Sequence, residues 1–300
     1  VRDFRWPPPP DSGPRIYGPG PTAPRSGRPT LPEPPTELVS TPHGVTLERL
    51  VSGAGEPVTV FAHGLAAGIA ETRPLGSAVT GRRVFFHFRG HGRSAAPPGP
   101  WTYTDLARDL RAISDLTGAT RALGVSLGAG ALCRLLGESP ERFTRVVFFL
   151  PAVLDQPRPT AARARLSALL AAVKADDLSA VGEAVSAELP PGVRNTPAGW
   201  AYVRQRVDQL MRDGLAPALS ALPDEVAVPD RGVLLRVTAR ALVIACAGDD
   251  LHPVAVAERL AAALPDATLH VYDRPGVLWT ARADLRERVS AFLNAGDLPE

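Results

Sequence analysis

Gly124-Val125-Ser126-Leu127-Gly128 follows the short apolar stretch Arg121-Ala122-Leu123 and runs into Gly130-Ala131-Leu132-Cys133, which reads as the start of a helix. A G-x-S-x-G pentad between a strand and a helix forms a sharp, strained turn that lifts the serine hydroxyl above the end of a sheet. Small residues flank the serine because strand and helix approach too closely there for bulky side chains. The pentad alone is common by chance, so its placement carries the reading.

Further motifs stand on either side in a definite order. Upstream, Val58-Thr59-Val60-Phe61-Ala62 ends at His63-Gly64-Leu65, and Val84-Phe85-Phe86-His87-Phe88 leads into Arg89-Gly90-His91-Gly92-Arg93-Ser94. Downstream, Arg240-Ala241-Leu242-Val243-Ile244-Ala245-Cys246 leads into Gly248-Asp249-Asp250-Leu251-His252-Pro253. Apolar runs ending in polar loops, alternating with helical periodicity, predict a mostly parallel sheet covered on both faces. The loop after the first run and the amide after the serine could supply an oxyanion hole from the N–H groups of Leu65 and Leu127. With these motifs the chain resembles the α/β-hydrolase superfamily, in particular its lid-bearing, single-domain, esterase-like members, over roughly residues 40 to 295. The resemblance implies an α/β class fold, a mostly parallel sheet flanked by helices with a helical lid. It is less specific for the reaction, because one fold hosts many chemistries.

By the same resemblance the acid of a serine triad is Asp249, with a proline four residues on, and the histidine belongs in the loop after the last strand. That loop reads Asp273-Arg274-Pro275-Gly276-Val277-Leu278-Trp279-Thr280, with Gly-Val where the family usually has Gly-His, and no histidine follows His270. Losing the histidine of a serine triad costs on the order of 10⁶-fold in rate, and a serine without a base is a weak nucleophile. His252 is the best substitute among the chain's 6 histidines, because its loop falls on the same rim as Ser126. The plainer reading of His252-Pro253 is that it shapes the start of the next helix. His43 reads as exposed, His63 as a brace of the oxyanion loop, and His91 as an organiser of its own turn. His87 stands where the family commonly has Asp, and His270 points away from Leu269 and Val271 on its strand. Asp250 and Asp155 compete with Asp249 as the acid, some relatives carrying it where Asp155 stands.

At 300 residues, core size is not limiting, and a net charge of +2 with 45% hydrophobic residues implies neither nucleic acid nor an anionic membrane. Lys174 is the single lysine, and the wealth of Ala, Gly, Pro and Arg suggests GC-rich coding. Cys133 and Cys246 read as small core residues in a reducing, cytoplasmic setting. No apolar run approaches the ~20 residues that span a bilayer, and no secretory leader is evident at the start. No metal cluster, phosphate-cradling loop or dinucleotide fingerprint appears, so no cofactor is expected.

Residues 1–36 are Pro-rich, with Trp6-Pro7-Pro8-Pro9-Pro10, and read as a disordered tail. Residues 37–155 and 237–300 read as the hydrolase core, and 156–236 as a helical lid between the sixth and seventh strands. Within it Leu166, Leu169, Leu170 and Val173 mark one helix, and Val203, Val207, Leu210 and Met211 another, separated by Pro190-Pro191-Gly192. Apolar lid faces suggest a mostly apolar chamber, with Trp200 and Tyr202 as the aromatics to watch, unless those faces only pack on one another.

Two functional readings follow. The first is a hydrolase using Ser126 on a small ester, thioester or lactone carbonyl, with Asp249 supporting His252 as a displaced base. The second is a repurposed fold (a lyase, cyclase, isomerase or silent binding protein) suggested by the apolar Val277-Leu278-Trp279.

Overall fold

In the computed structural model, residues 35–212, Leu215 and residues 219–296 are described. The Pro-rich segment therefore lies outside the described residues, except for its last two.

Eight strands form one sheet: β1 (Glu37–Ser40), β2 (Thr46–Ser52), β3 (Val58–Ala62), β4 (Arg82–Phe86), β5 (Arg121–Val125), β6 (Arg145–Phe149), β7 (Arg240–Cys246) and β8 (Ala267–Tyr272). Their spatial order is β1-β2-β4-β3-β5-β6-β7-β8. The β1–β2 and β2–β4 pairs are antiparallel, and every pair from β4–β3 to β7–β8 is parallel. The central strands β3 and β6 are buried at every position, as befits parallel strands covered on both faces. Side chains alternate between two cores. Val58, Val60, Val146 and Phe148 enter one; Phe61, Val147 and Phe149 enter the other, following the two-residue period of a strand.

The first core is closed by helices α2 (Tyr103–Thr117), α3 (Leu127–Glu138) and α8 (Val254–Ala263). Leu106, Leu110 and Ile113, one face of α2 at helical spacing, are fully inside it. A reciprocal capping box between Thr102 and Asp105 starts that helix, and Gly118 in the left-handed conformation ends it, each satisfying backbone groups that a helix end leaves orphaned. The second core is closed by α1 (Ile69–Thr72) and α10 (Arg282–Asn294), the latter burying Leu285, Val289 and Leu293 at helical spacing. α9 (Val277–Thr280) adds Val277 to the same core.

Between β6 and β7 the chain makes a helical insertion: α4 (Thr160–Lys174), α5 (Leu178–Ala187), α6 (Pro191–Arg194), α7 (Pro197–Leu210) and a 3₁₀ turn at Arg231–Arg236. The two anticipated helices are α4 and α7, with Met211 capping α7 rather than lying inside it. α5 was not anticipated, although Leu178, Val181 and Val185 keep a helical spacing. Pro190-Pro191-Gly192 is not a plain break either, because Pro191 opens α6 at the position where a missing N–H costs nothing. Leu169, Val173, Val181, Val185, Val203, Val207 and Leu210 form a third core of their own, joined by Ala66 from the body. The apolar faces of the insertion are thus used in packing, which removes the basis for reading an apolar chamber from them.

Candidate active site

The helix after β5 begins at Leu127, three residues earlier than Gly130 suggested, because the turn between strand and helix is a single residue. That residue is Ser126, at φ 49 and ψ −104, a strained conformation for a residue with a side chain. Its own amide bonds Phe149 O at 2.9 Å, and its carbonyl accepts from Gly130 N at 3.1 Å, so strand and helix clamp the strain on both sides. The glycines of the pentad are demanded by contact. A Cβ on Gly124 would stand 2.5 Å from Gly128 O, and one on Gly128 2.4 Å from Ala62 O. Ser126 remains partly exposed at the carboxyl end of the sheet.

Parallel register brings the ends of β5, β6 and β7 to one rim, with Val125 opposite Phe149 and Phe149 opposite Ile244. The loop after β7 therefore faces the elbow. Asp249 Oδ1 accepts the amides of Leu251 at 3.0 Å and His252 at 3.1 Å, a tight turn that folds the loop back on its own carboxylate. Asp249 Oδ2 then lies 2.8 Å from His252 Nδ1, and His252 Nε2 lies 2.9 Å from Ser126 Oγ. With Asp249 accepting at Nδ1, the imidazole carries its proton there and turns an acceptor nitrogen to the hydroxyl. Burial pushes the Asp249 carboxyl up, but the hydrogen bond and charge of His252 and the two amides outweigh it, leaving the group below its usual value. Asp250 is exposed. Asp155 sits 3.9 Å from Arg231 and 3.8 Å from Arg259, paired away from this cluster. Val277, where the resemblance sets a histidine, is 3% exposed and packed into the second core.

The loop facing the elbow from β3 is pinned at successive peptide groups. His63 Nδ1 donates to Gly64 O at 2.7 Å, while its Nε2 accepts from Phe88 N at 3.0 Å. The Gly64 carbonyl and the Leu65 N–H belong to one planar peptide, so fixing the first orients the second. Ala66 N donates to His91 Nε2 at 3.1 Å, and His91 Nδ1 donates to Arg89 O at 3.0 Å. Both imidazoles accept a backbone N–H and are therefore neutral. Burial, reinforced by nearby cations, lowers His63 well below the ordinary histidine value and His91 to about 4. The Leu127 N–H is the first amide of α3, one of the donors a helix start leaves unpaired.

The remaining histidines are structural in their contacts. His43 is not simply exposed; its Nε2 lies 2.8 Å from the buried Asp109, which also takes the Arg89 guanidinium at 2.8 Å. His87 bonds Glu48 at 2.9 Å and accepts from Ile69 N at 3.2 Å. His270 stacks edge-on against Tyr272 and faces Arg288 and Asp284 of α10. Of the two aromatics singled out in the insertion, Tyr202 meets Trp279 edge-on at 5.6 Å, and Trp200 is half-buried. Both cysteines are buried and unbridged. Among the described residues, no group of three or more His, Cys, Asp or Glu side chains is placed to hold a metal ion, and no helix is long and apolar enough to cross a membrane.

Sequence reasoning missed the contribution of α7. Three of its polar side chains and one just beyond its end grasp the body. Gln205 bonds Glu71 at 2.9 Å, and Arg206 donates to Leu65 O. Gln209 reaches Gly90 O at 3.4 Å and Gly92 N at 3.5 Å, and Arg212, just past the helix, donates to Gly92 O. The spacing was visible; the atoms it addresses, over a hundred residues earlier in the chain, were not.

A strand-order with one antiparallel end, a strained serine after the fifth strand and a polar loop after the seventh define an α/β hydrolase. The sequence pattern of the α/β hydrolase fold matches residues 57–276, and the chain belongs to that family. It is 29% identical over 229 residues to the "Putative carbamate hydrolase RutD" of Caulobacter segnis, covering 71% of this chain and 82% of that one. It is 27% identical over 195 residues to 3-oxoadipate enol-lactonase 2 of Acinetobacter baylyi, covering 63% and 70% respectively. In three dimensions it is similar to an esterase from Exiguobacterium antarcticum, with a TM-score of 0.73 at 19% identity, over 86% of this chain and 99% of that one.

Proposed function

We propose that this protein is a serine hydrolase that cleaves a small ester, thioester, lactone or carbamate, with Ser126 as nucleophile, His252 as general base and Asp249 as its orienting acid. One observation carries the reading: a single imidazole spans the hydroxyl at 2.9 Å and the carboxylate at 2.8 Å. Those are the contacts that nucleophile, base and orienter require. Ser126 Oγ attacks the acyl carbon as His252 Nε2 takes its proton. The oxygen of the tetrahedral intermediate then takes hydrogen bonds from the N–H groups of Leu65 and Leu127. Collapse expels the alcohol, thiol or amine, which receives the proton from His252 and leaves an acyl-serine. Water, deprotonated by the same imidazole, attacks that ester; the acid product departs and Ser126 regains its proton.

The names of the relatives support the substrate class. One is named for carbamate hydrolysis, another for an enol-lactone, and the structural neighbour for an ester. All three bonds join an acyl carbon to a heteroatom leaving group. The helical insertion serves in this reading as a lid above the rim. The non-hydrolytic alternative rests on the apolar Val277-Leu278-Trp279; the packing of Val277 into the second core and the approach of His252 to Ser126 favour the hydrolase reading over it.

The test is labelling by a fluorophosphonate together with turnover of p-nitrophenyl esters, a simple lactone and a carbamate. Wild type is expected to be labelled and to turn over at least one of these. Ser126→Ala abolishes labelling and lowers kcat by roughly 10⁶-fold, and His252→Ala acts comparably. A folded wild type that resists the probe, or turnover surviving in Ser126→Ala, overturns the proposal.

A further inference from the structure

Among the described residues Arg89, Arg121, Arg145, Arg158 and Arg206 are buried, and of these Arg206, on α7, is set against the Leu65 peptide. It is 9% exposed, although arginine is rarely so fully enclosed. Its Nη1 donates to Leu65 O, its Nη2 reaches Glu188 at 3.3 Å, and its guanidinium lies 5.8 Å from the centre of the Tyr202 ring. Glu188 and the partly buried Glu71 supply the compensating negative charge, and burial raises the Glu71 carboxyl while Arg206 draws it back. A hydrophobic side chain of similar volume would pack there at no electrostatic cost, so the burial of the guanidinium directs attention to its partners.

What it grips is informative. The two peptide groups that flank Leu65 have four polar atoms. Gly64 O is taken by His63, Ala66 N by His91 and Leu65 O by Arg206. The fourth is the Leu65 N–H. Planarity ties its direction to Gly64 O, which His63 holds, while the Leu65–Ala66 peptide, held by Arg206 and His91, restrains the Leu65 φ and ψ about which the first peptide could turn. Two of the three clamps come from the body; the third comes from the helical insertion, 141 residues away in the chain.

We infer that Arg206 is a positioning residue that locks the Leu65 peptide from the lid side, so that seating α7 on the body aims the oxyanion-hole amide. The inference rests on the proposed hydrolase reading and deepens it. The insertion then completes the catalytic geometry instead of only covering it, and α7 seated elsewhere leaves the hole loosely aimed. The contribution is confined to the transition state, because the ground-state carbonyl needs little from that amide.

Arg206→Met, which keeps length and apolar bulk, and Arg206→Lys, which keeps charge but cannot span Leu65 O and Glu188 together, test this in the full chain. Three quantities are read: kcat and KM on an activated ester, inhibition by an alkylboronic acid that forms a tetrahedral adduct on Ser126, and the thermal midpoint. Arg206→Met is expected to lower kcat roughly 10–100-fold and weaken the boronate by a similar factor, with KM within about threefold. Arg206→Lys falls between it and wild type. A merely structural arginine would lower the thermal midpoint without separating kcat and boronate affinity from KM. That pattern, or a loss confined to KM, overturns the inference. Should Arg206→Met fail to fold, Arg206→Lys with wild-type kcat and boronate affinity overturns it equally. Failure of the underlying reading looks different: the wild type itself then escapes fluorophosphonate labelling at Ser126.

Discussion

His252 and Asp249 come from one turn, three positions apart in the chain, and in the proposed triad that short tether gives the carboxylate a second task. A carboxylate that also accepts the backbone amides of Leu251 and His252 fixes the loop and the ring together, so its replacement removes both the tautomer and the loop geometry. Asp249→Asn is therefore expected to lower kcat by about 10⁴-fold, the scale known for a mis-set imidazole tautomer, and to loosen the loop. Proteolytic sensitivity confined to the 247–253 region would register the second effect. Position 277 gives a sharper contrast. Its side chain is enclosed in the second core, so a histidine there enters an apolar wall instead of meeting Ser126. His252→Ala combined with Val277→His is expected to stay at the rate of His252→Ala alone, with a lower thermal midpoint from burying an imidazole. Recovery of turnover by tenfold or more in the double variant would return the base to the family's usual position.

At the scale of elements, the site depends on contacts that tolerate no added atom and on contacts that couple insertion to body. Gly128→Ala is expected to cost about 1–3 kcal/mol or more in urea unfolding, because its new methyl would meet the backbone oxygen of Ala62, which has no rotamer to change. Tyr202 of α7 against Trp279 of α9 is the side-chain counterpart of the Arg206 clamp. A double-mutant cycle with Tyr202→Leu and Trp279→Leu should give a coupling near 0.5–1.5 kcal/mol, and additive losses would mean that the rings do not support each other. These two cases also mark what was legible in the sequence. The elbow, the apolar runs that carry the motifs and the mostly parallel sheet could be read because each is written in a local period or a contiguous motif. His252 was legible as a candidate because parallel strands end on a shared rim, a rule of the fold. Its 2.9 Å approach to Ser126 was not, since it depends on how Asp249 turns its own loop. α5 is a shorter element, 10 residues of mostly small side chains close after α4, and its length rather than its spacing hid it. Arg206 was illegible for a different reason: a charged residue on an amphipathic helix reads as solvated until the partner loop is placed over it.

Across the whole molecule, the sheet gathers loops from β3, β4, β5 and β7 at one edge, and the polarity buried there makes folding depend on pH. His63 and His91 are completely enclosed, and each accepts a backbone N–H that an imidazolium would repel. Burial, ahead of the nearby charges, holds His91 at about 4 and His63 lower than ordinary as well. An unfolded chain binds protons at these rings near pH 6.5 that the folded protein refuses. Their contribution to stability is therefore complete above about pH 6.5 and disappears as the pH falls through about 4 for His91. For that ring the full difference is about 3 kcal/mol, of which about 2 kcal/mol is lost between pH 7 and pH 5. Urea unfolding at both pH values should show this loss in the wild type. His91→Gln cannot gain a proton and still offers an oxygen to Ala66 N–H, so its loss should be smaller by about 2 kcal/mol. Equal losses in the two proteins would mean that His91 is free to protonate in the folded state, and with it that the Leu65–Ala66 peptide is not held as described. Because the same peptide borders the proposed oxyanion donor, acid should then weaken the boronate complex along with the fold, which ties the molecule's stability and its catalytic geometry to one buried ring.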